Sequence, residues 1–148
     1  MNKFFLIALI SLTVTLAYGQ SNESVLDQMG DLNESFVEQI GDTNESTINQ
    51  WGAQNSIVAN ADIGFGAYQE GIENELLITQ NGDQNIAHAL QDGSSNYLEV
   101  SQTGSDHYTE SWQIGSNNQS IVTQTGQGQM SMVIQQGSGN QATVRQSN

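Results

Sequence analysis

Eleven glutamines return on an eleven-residue frame: Gln28, Gln39 and Gln50, then, after one break, Gln69, Gln80, Gln91, Gln102, Gln113, Gln124, Gln135 and Gln146. Asparagines hold a second frame at Asn22, Asn33, Asn44, Asn55, Asn74, Asn85, Asn96, Asn118 and Asn140. A primary amide carries two N–H donors and a carbonyl acceptor, so identical amides stacked on one another can each donate to one neighbour and accept from the other. The chemistry these spacings offer is a hydrogen-bonded column, with no bond made or broken. A buried amide outside such a column costs about 1–3 kcal/mol.

Other reactive residue types do not converge. Sixteen carboxylates are present, eleven of them from Glu23 to Glu75, five from Asp83 to Glu110 and none after that. They accompany no nucleophile, phosphate-cradling glycine loop or cluster of cations, so neither a catalytic constellation nor a cofactor site is expected. His88 and His107 lack a second histidine at ligand spacing. His107 stands where the frame calls for asparagine and reads as an amide mimic, and His88 falls on an outward position. Four Asn-x-Ser sequons begin at Asn22, Asn33, Asn44 and Asn118, but the repeat generates them and their asparagines face inward.

The elements that would hold the amides follow from the unit Asn-x-a-x-b-x-Gln-x-Gly-x-x. Asn to Gln is strand length, and alternate positions are small or apolar: Asn33, Ser35, Val37, Gln39; Asn44, Ser46, Ile48, Gln50; Asn96, Leu98, Val100, Gln102. Ten glycines supply turns that admit positive φ: Gly30, Gly41, Gly52, Gly71, Gly82, Gly93, Gly104, Gly115, Gly126 and Gly137. Two units make a 22-residue lap, and stacked laps give an all-β solenoid of about six laps. It has two facing parallel, in-register sheets and becomes cross-β on polymerisation. In this register Glu23 lies over Glu45, a like-charge pair that opposes stacking. The C-terminal laps instead expose Trp112, Ile114, Ile121, Met130, Met132 and Ile134, and residues 111–148 are expected to be the adhesive end. The column Val25, Thr47, His88, Glu110, Met132 is expected on one outer face. Gln50 and Gln69 are nineteen residues apart, so residues 55–68 are expected to form a shortened or bulged arc, with Phe65 filling the space left.

Residues 1–19 have the signature of a secretory signal peptide: Lys3, an apolar run from Phe4 to Ala17, and small residues before a cut after Gly19. Residues 20–148 then form one repeat domain with no second apolar stretch, hence no integral membrane span. Arg145 is its sole full cation, for a net charge of about −15, which leaves nothing to neutralise nucleic-acid phosphates. The chain has no cysteine and no proline; without proline, every backbone N–H is free to join a ladder. An apolar fraction of 36% would by itself suggest disorder, and only the periodicity speaks against it.

The phrase Ser/Asn-x5-Gln-x-Gly-x2-Asn-x5-Gln, matched from Asn33 to Gln50 and from Asn85 to Gln102, resembles the curlin repeat of the curli subunits. That resemblance implies a secreted structural subunit, exported unfolded and polymerised into extracellular amyloid fibres for biofilm matrix and surface adhesion. It implies as partners other copies of the chain, a nucleator subunit and the outer-membrane curli secretion machinery, and it places the amide columns in the fibre core. The curli major subunit carries a channel-addressing segment between leader and first repeat. Here only Gln20 and Ser21 intervene, so either that channel is not used or the first repeat does the addressing. Two other readings stand beside this one. One is a monomeric extracellular solenoid binding polysaccharide, calcium or ice; the other is a minor nucleator of the same fibre.

Overall fold

The computed structural model describes residues 12–58 and 66–148. Thirteen strands follow in order: β1 (Leu12–Tyr18), β2 (Glu23–Met29), β3 (Glu34–Asp42), β4 (Glu45–Trp51), β5 (Ser56–Ile57), β6 (Ala67–Ile72), β7 (Glu75–Asp83), β8 (Ile86–Ser94), β9 (Tyr97–Ser105), β10 (Tyr108–Ser116), β11 (Gln119–Gln127), β12 (Met130–Ser138) and β13 (Gln141–Ser147). All pairings are parallel, and the chain alternates between two sheets as it winds. Sheet A runs β1, β3, β5 with β6, β8, β10, β12; sheet B runs β2, β4, β7, β9, β11, β13. This is a β-solenoid of about six turns, as the periodicity predicts.

Each half-turn buries one face because side chains alternate with period two. Val37, Ile48, Ile57, Ala67, Leu76, Ile78, Ala87, Ala89, Leu98, Val100, Val122 and Val133 form the apolar interior. Volumes complement one another across it: Ala87 and Ala89 in sheet A occupy the laps where sheet B contributes Leu76, Ile78, Leu98 and Val100. Serine takes the narrow positions, and the hydroxyls of Ser24, Ser35, Ser46 and Ser131 are enclosed there without a hydrogen-bond partner. An interior with so many small and polar groups supplies modest hydrophobic stabilisation, at roughly 25 cal/mol per Å² of apolar area buried.

The strands extend further than the Asn-to-Gln reading allows. β7 and β9 remain paired through Gly82↔Gly104 and on to Asp83↔Ser105, so the glycine lies inside the ladder and the corner is only a few residues wide. Gly82 has φ +128°, and a Cβ there would come 2.0 Å from the carbonyl oxygen of Gly104 in the next lap. A second left-handed residue directly precedes each framework asparagine and the equivalent His107 and Gln129, outside the eleven-residue glycine frame. Leu32, Thr43, Gln54, Glu73, Gln84, Ser95, Asp106 and Asn117 hold φ between 54° and 59° there. Hydrogen bonding between corners compensates the strain of that conformation. Thr43 N–H donates to Gln20 O at 3.0 Å, Glu73 N–H to Asp42 O at 3.1 Å and Ser95 N–H to Ile72 O at 2.9 Å.

Of the shortened or bulged arc expected in the irregular stretch, the register excludes the shortened form. Gln39 pairs with Gln69 and Gln50 with Gln80, a register of 30 residues where other laps show 22. One half-turn therefore carries eight extra residues. β5 opens it, with Ser35 beside Ile57, and β6 completes it, with Val37 beside Ala67. The chain leaves the ladder at the position of a single residue. Gly66 closes the neck so tightly that a Cβ would meet the Ile57 carbonyl oxygen at 2.2 Å. The nineteen-residue gap is thus one unit plus an excursion, and β5 and β6 together count as one strand. Phe65, expected to fill space in the arc, lies outside the described residues.

Deleting residues 59–66 joins Val58 to Ala67 and restores an eleven-residue step between Gln50 and Gln69. Strand content by circular dichroism is expected to persist and the denaturation midpoint to stay level or rise slightly, since a shorter loop lowers the closure entropy by well under about 1 kcal/mol. A collapse of the cooperative transition would show the excursion to be integral to the coil.

Candidate functional site

Every glutamine of the frame enters one of two continuous columns. In sheet A, Gln39 Nε2 donates to Gln69 Oε1 at 2.8 Å, Gln69 to Gln91 at 2.8 Å, Gln91 to Gln113 at 3.0 Å and Gln113 to Gln135 at 2.9 Å. In sheet B the series runs Gln28, Gln50, Gln80, Gln102, Gln124 and Gln146. The second proton of many of these amides crosses between sheets to a backbone carbonyl: Gln50 Nε2 to Glu34 O at 3.1 Å, Gln91 to Glu75 O at 2.8 Å, Gln113 to Tyr97 O at 2.8 Å. One side chain thus ties lap to lap and sheet to sheet.

The asparagines form two further columns at the corners, with opposite polarity. Asn74 donates from backbone N–H and Nδ2 to Asn44 Oδ1 at 3.1 and 3.0 Å, and Asn96 does the same to Asn74 at 3.2 and 3.0 Å. Nδ2 also reaches a glycine carbonyl of the next lap, as in Asn33 to Gly52 at 3.0 Å and Asn85 to Gly104 at 3.0 Å. The sequon residues Asn33, Asn44 and Asn118 are almost wholly buried in this network.

His107 fills the asparagine slot as its position predicts. Its N–H donates to Asn85 Oδ1 at 3.2 Å, its Nδ1 accepts the Gln129 N–H at 3.3 Å, and Nε2 meets Thr103 O at 3.2 Å. This set requires the Nε2–H tautomer, in which Nδ1 stands in for an asparagine oxygen and Nε2–H for its amide nitrogen. Gln129 follows in the same slot, with Nε2 donating to Thr125 O at 2.9 Å.

The outer faces segregate in a way the sequence reading misassigned. Val25 and Thr47 continue through Leu77, Glu99, Ile121 and Thr143 on sheet B, whereas His88, Glu110 and Met132 align on sheet A. The expected single column therefore does not exist, because the eight-residue excursion changes the phase. Sheet A presents Tyr68, Leu90, Trp112 and Ile134 as one outer row and Ile86, Tyr108 and Met130 as another. Sheet B carries Glu23, Glu45 and Glu75 in register. His88 points outward yet is only 2% exposed, its ring 5.7 Å from that of Tyr108.

A family model describes the same unit independently: the curlin associated repeat matches residues 18–58, 71–104 and 95–126. These matches cover more than half of the chain. The chain belongs to the curlin repeat family. No curated protein matches it. The matched segments stop and resume on either side of the excursion. The curlin framework amides are thus the four columns described above, and the gap in the matches coincides with the half-turn that departs from the 22-residue register.

Tyr68, Tyr97 and Tyr108 each donate to a carboxylate two residues on: Glu70 at 2.7 Å, Glu99 at 2.9 Å and Glu110 at 3.2 Å. The bond to Glu70, followed by burial and nearby carboxylates, pushes the Tyr68 phenol up to about 12. Burial, followed by the bond to Glu99, does the same to Tyr97, also to about 12. Both raised values favour the neutral phenol in the coil. The stabilisation is complete below the unfolded value near 10 and is lost as pH climbs toward 12.

Two predictions follow from these contacts. Gln80→Leu removes both the acceptor of Gln50 and the donor to Gln102, at a cost of about 1–3 kcal/mol for each orphaned group. His107→Asn is expected to leave the denaturation midpoint within about 0.5 kcal/mol of the parent. Equal losses from the two variants would refute the column as the source of stability. In alkaline titration followed by phenolate absorbance, Glu70→Gln is expected to bring Tyr68 back toward 10, whereas Glu99→Gln moves Tyr97 less because burial dominates there.

Proposed function

We propose that this chain is a structural subunit, without enzymatic activity, that is secreted and self-assembles head to tail into extracellular curli-type amyloid fibres. The observation that carries this reading is the state of the coil's ends. β12 and β13 are the outer strands of their sheets at one end; at the other, β2 ends sheet B and β1, part of the segment removed on export, covers β3 in sheet A. All four amide columns stop at β2, β3, β12 and β13. A parallel strand edge with open amides is a template for another strand of the same sequence. The family supports the setting: cell-surface fibres that give cohesion to a biofilm matrix, with a nucleator subunit and the outer-membrane secretion machinery as partners. Residues 1–19 would be removed on export, so that the mature subunit begins at Gln20. The exposed Met130, Met132 and Ile134 of β12, at 59–71% exposure, suit an adhesive leading end, and the stacked Glu23, Glu45 and Glu75 slow addition at the other.

Fibre diffraction on residues 20–148, diluted from denaturant and left at neutral pH, is expected to show a meridional reflection near ~4.8 Å and an equatorial one near ~10 Å. A clear, monomeric, folded solution would instead favour the soluble binding solenoid.

A further inference from the structure

Sheet A ends in an unmet acceptor on both sides. At the N-terminal side, the ladder places Ala17 of β1 beside Gln39, in the slot that a glutamine occupies in every following lap. Gln39 donates to Gln69, but its own Oε1 is buried without a partner. The side chain is 0% exposed, so β1 covers this amide without satisfying it. At the C-terminal side, Gln129 occupies the last slot of its corner column in sheet A. Its Nε2 is bonded to Thr125 O, but its Oε1 is buried without a partner as well. In the laps below, the acceptor of this slot receives the backbone N–H of the residue one lap on, as Asn85 Oδ1 receives His107 N–H.

The strand count decides what can fill both. From β2 onward the coil makes eleven half-turns, with β5 and β6 sharing one. Both β2 and β13 belong to sheet B. If a second copy placed its β2 on β13, sheet continuing into like sheet, its β3 would face β12 across an empty strand position. Gln39 Oε1 and Gln129 Oε1 would then both stay unmet. If the second copy is turned by half a revolution about the coil axis, its β2 lies on β12 and its β3 on β13. Asn22 of the arriving copy then offers its N–H to Gln129 Oε1, and Gln146 of the first copy offers Nε2 to Gln39 Oε1 of the arriving one. Gln135 meets Gln28, and Asn140 meets Asn33. The winding passes the junction as though the chain were unbroken.

We propose that successive copies in the fibre stack with this half-turn rotation, so that sheet A of one copy continues into sheet B of the next. The proposal rests on the fibre-forming reading above. Each copy advances the fibre by about 26 Å, eleven half-turns at ~4.8 Å per lap. The flank of the fibre alternates accordingly between the outer face of sheet A, with its row Tyr68, Leu90, Trp112 and Ile134, and that of sheet B, with its row Glu23, Glu45 and Glu75.

Introduced cysteines separate the two stackings, because the chain has none of its own. Rotated copies put Val25 of one beside Met132 of the other; unrotated copies put Val25 beside Thr143. All three side chains are exposed, and paired positions on adjacent strands lie within disulfide reach. Fibres of residues 20–148 carrying V25C and M132C are expected to give a ladder of disulfide-linked oligomers on a non-reducing gel, and fibres carrying V25C and T143C are expected to give monomer. A ladder from V25C and T143C, or fibres in which neither pair links, overturns the rotation while leaving the fibre reading intact. Failure of both variants and the parent to form fibres at all removes both.

Discussion

The structure depends on a rule of matching: an amide inside the coil is satisfied only when the residue one lap away supplies the complementary donor or acceptor, as a second amide does and as His107 does in its slot. Hydrophobic burial does not impose this, since Val37 could rest on Ala67 or on any other small apolar group. The amides are selective because each needs a donor on one side and an acceptor on the other, and an error leaves two orphans. The thin interior follows from the same rule. With Gln and Asn closing both edges of each strand, only two positions per half-turn remain for apolar side chains, and serine occupies several of those. Register, which in parallel sheets is elsewhere set by hydrophobic pattern, is here set by hydrogen bonding along the axis.

Much of this was legible in the residues themselves. The inward faces at Ser35, Val37 and Gln39 follow from period two, and His107 follows from its slot together with the imidazole's ability to copy an amide's donor and acceptor. Three features were not legible, each for a physical reason. The gap from Gln50 to Gln69 looked like a deficit because spacing counts residues, and an excursion that leaves and re-enters the ladder at one point adds residues without adding a strand. The segregation of outer faces was lost with it, since the columns after the excursion were assigned to the wrong sheet. The left-handed residue before each asparagine was hidden by Thr43, Glu73 and Ser95, which have no preference for that conformation and are held in it by bonds between neighbouring corners. Gly128 and Gly139, with φ of 69° and 70° in the same slot, were the available signal.

The excursion also shows how the coil tolerates irregularity. A neck pinched at Gly66 lets β5 and β6 act as one strand, with Glu34 beside Ser56 and Gln39 beside Gln69. The amide columns run through this lap unbroken, from Asn33 to Asn55 to Asn85 and from Gln39 to Gln69 to Gln91.

The opposed senses of the two kinds of column bear on how long such an object can grow. Glutamine N–H groups point toward the C-terminal end, and asparagine Nδ2–H groups bonded within their own columns point toward the N-terminal end. An α-helix aligns its peptide dipoles and accumulates partial charge at its termini. In this coil each half-turn adds one side-chain dipole of each sense, and they largely cancel. Lengthening the stack therefore builds little charge separation from its side-chain amides, and a fibre of many copies is, in this respect, electrically no different from a short one.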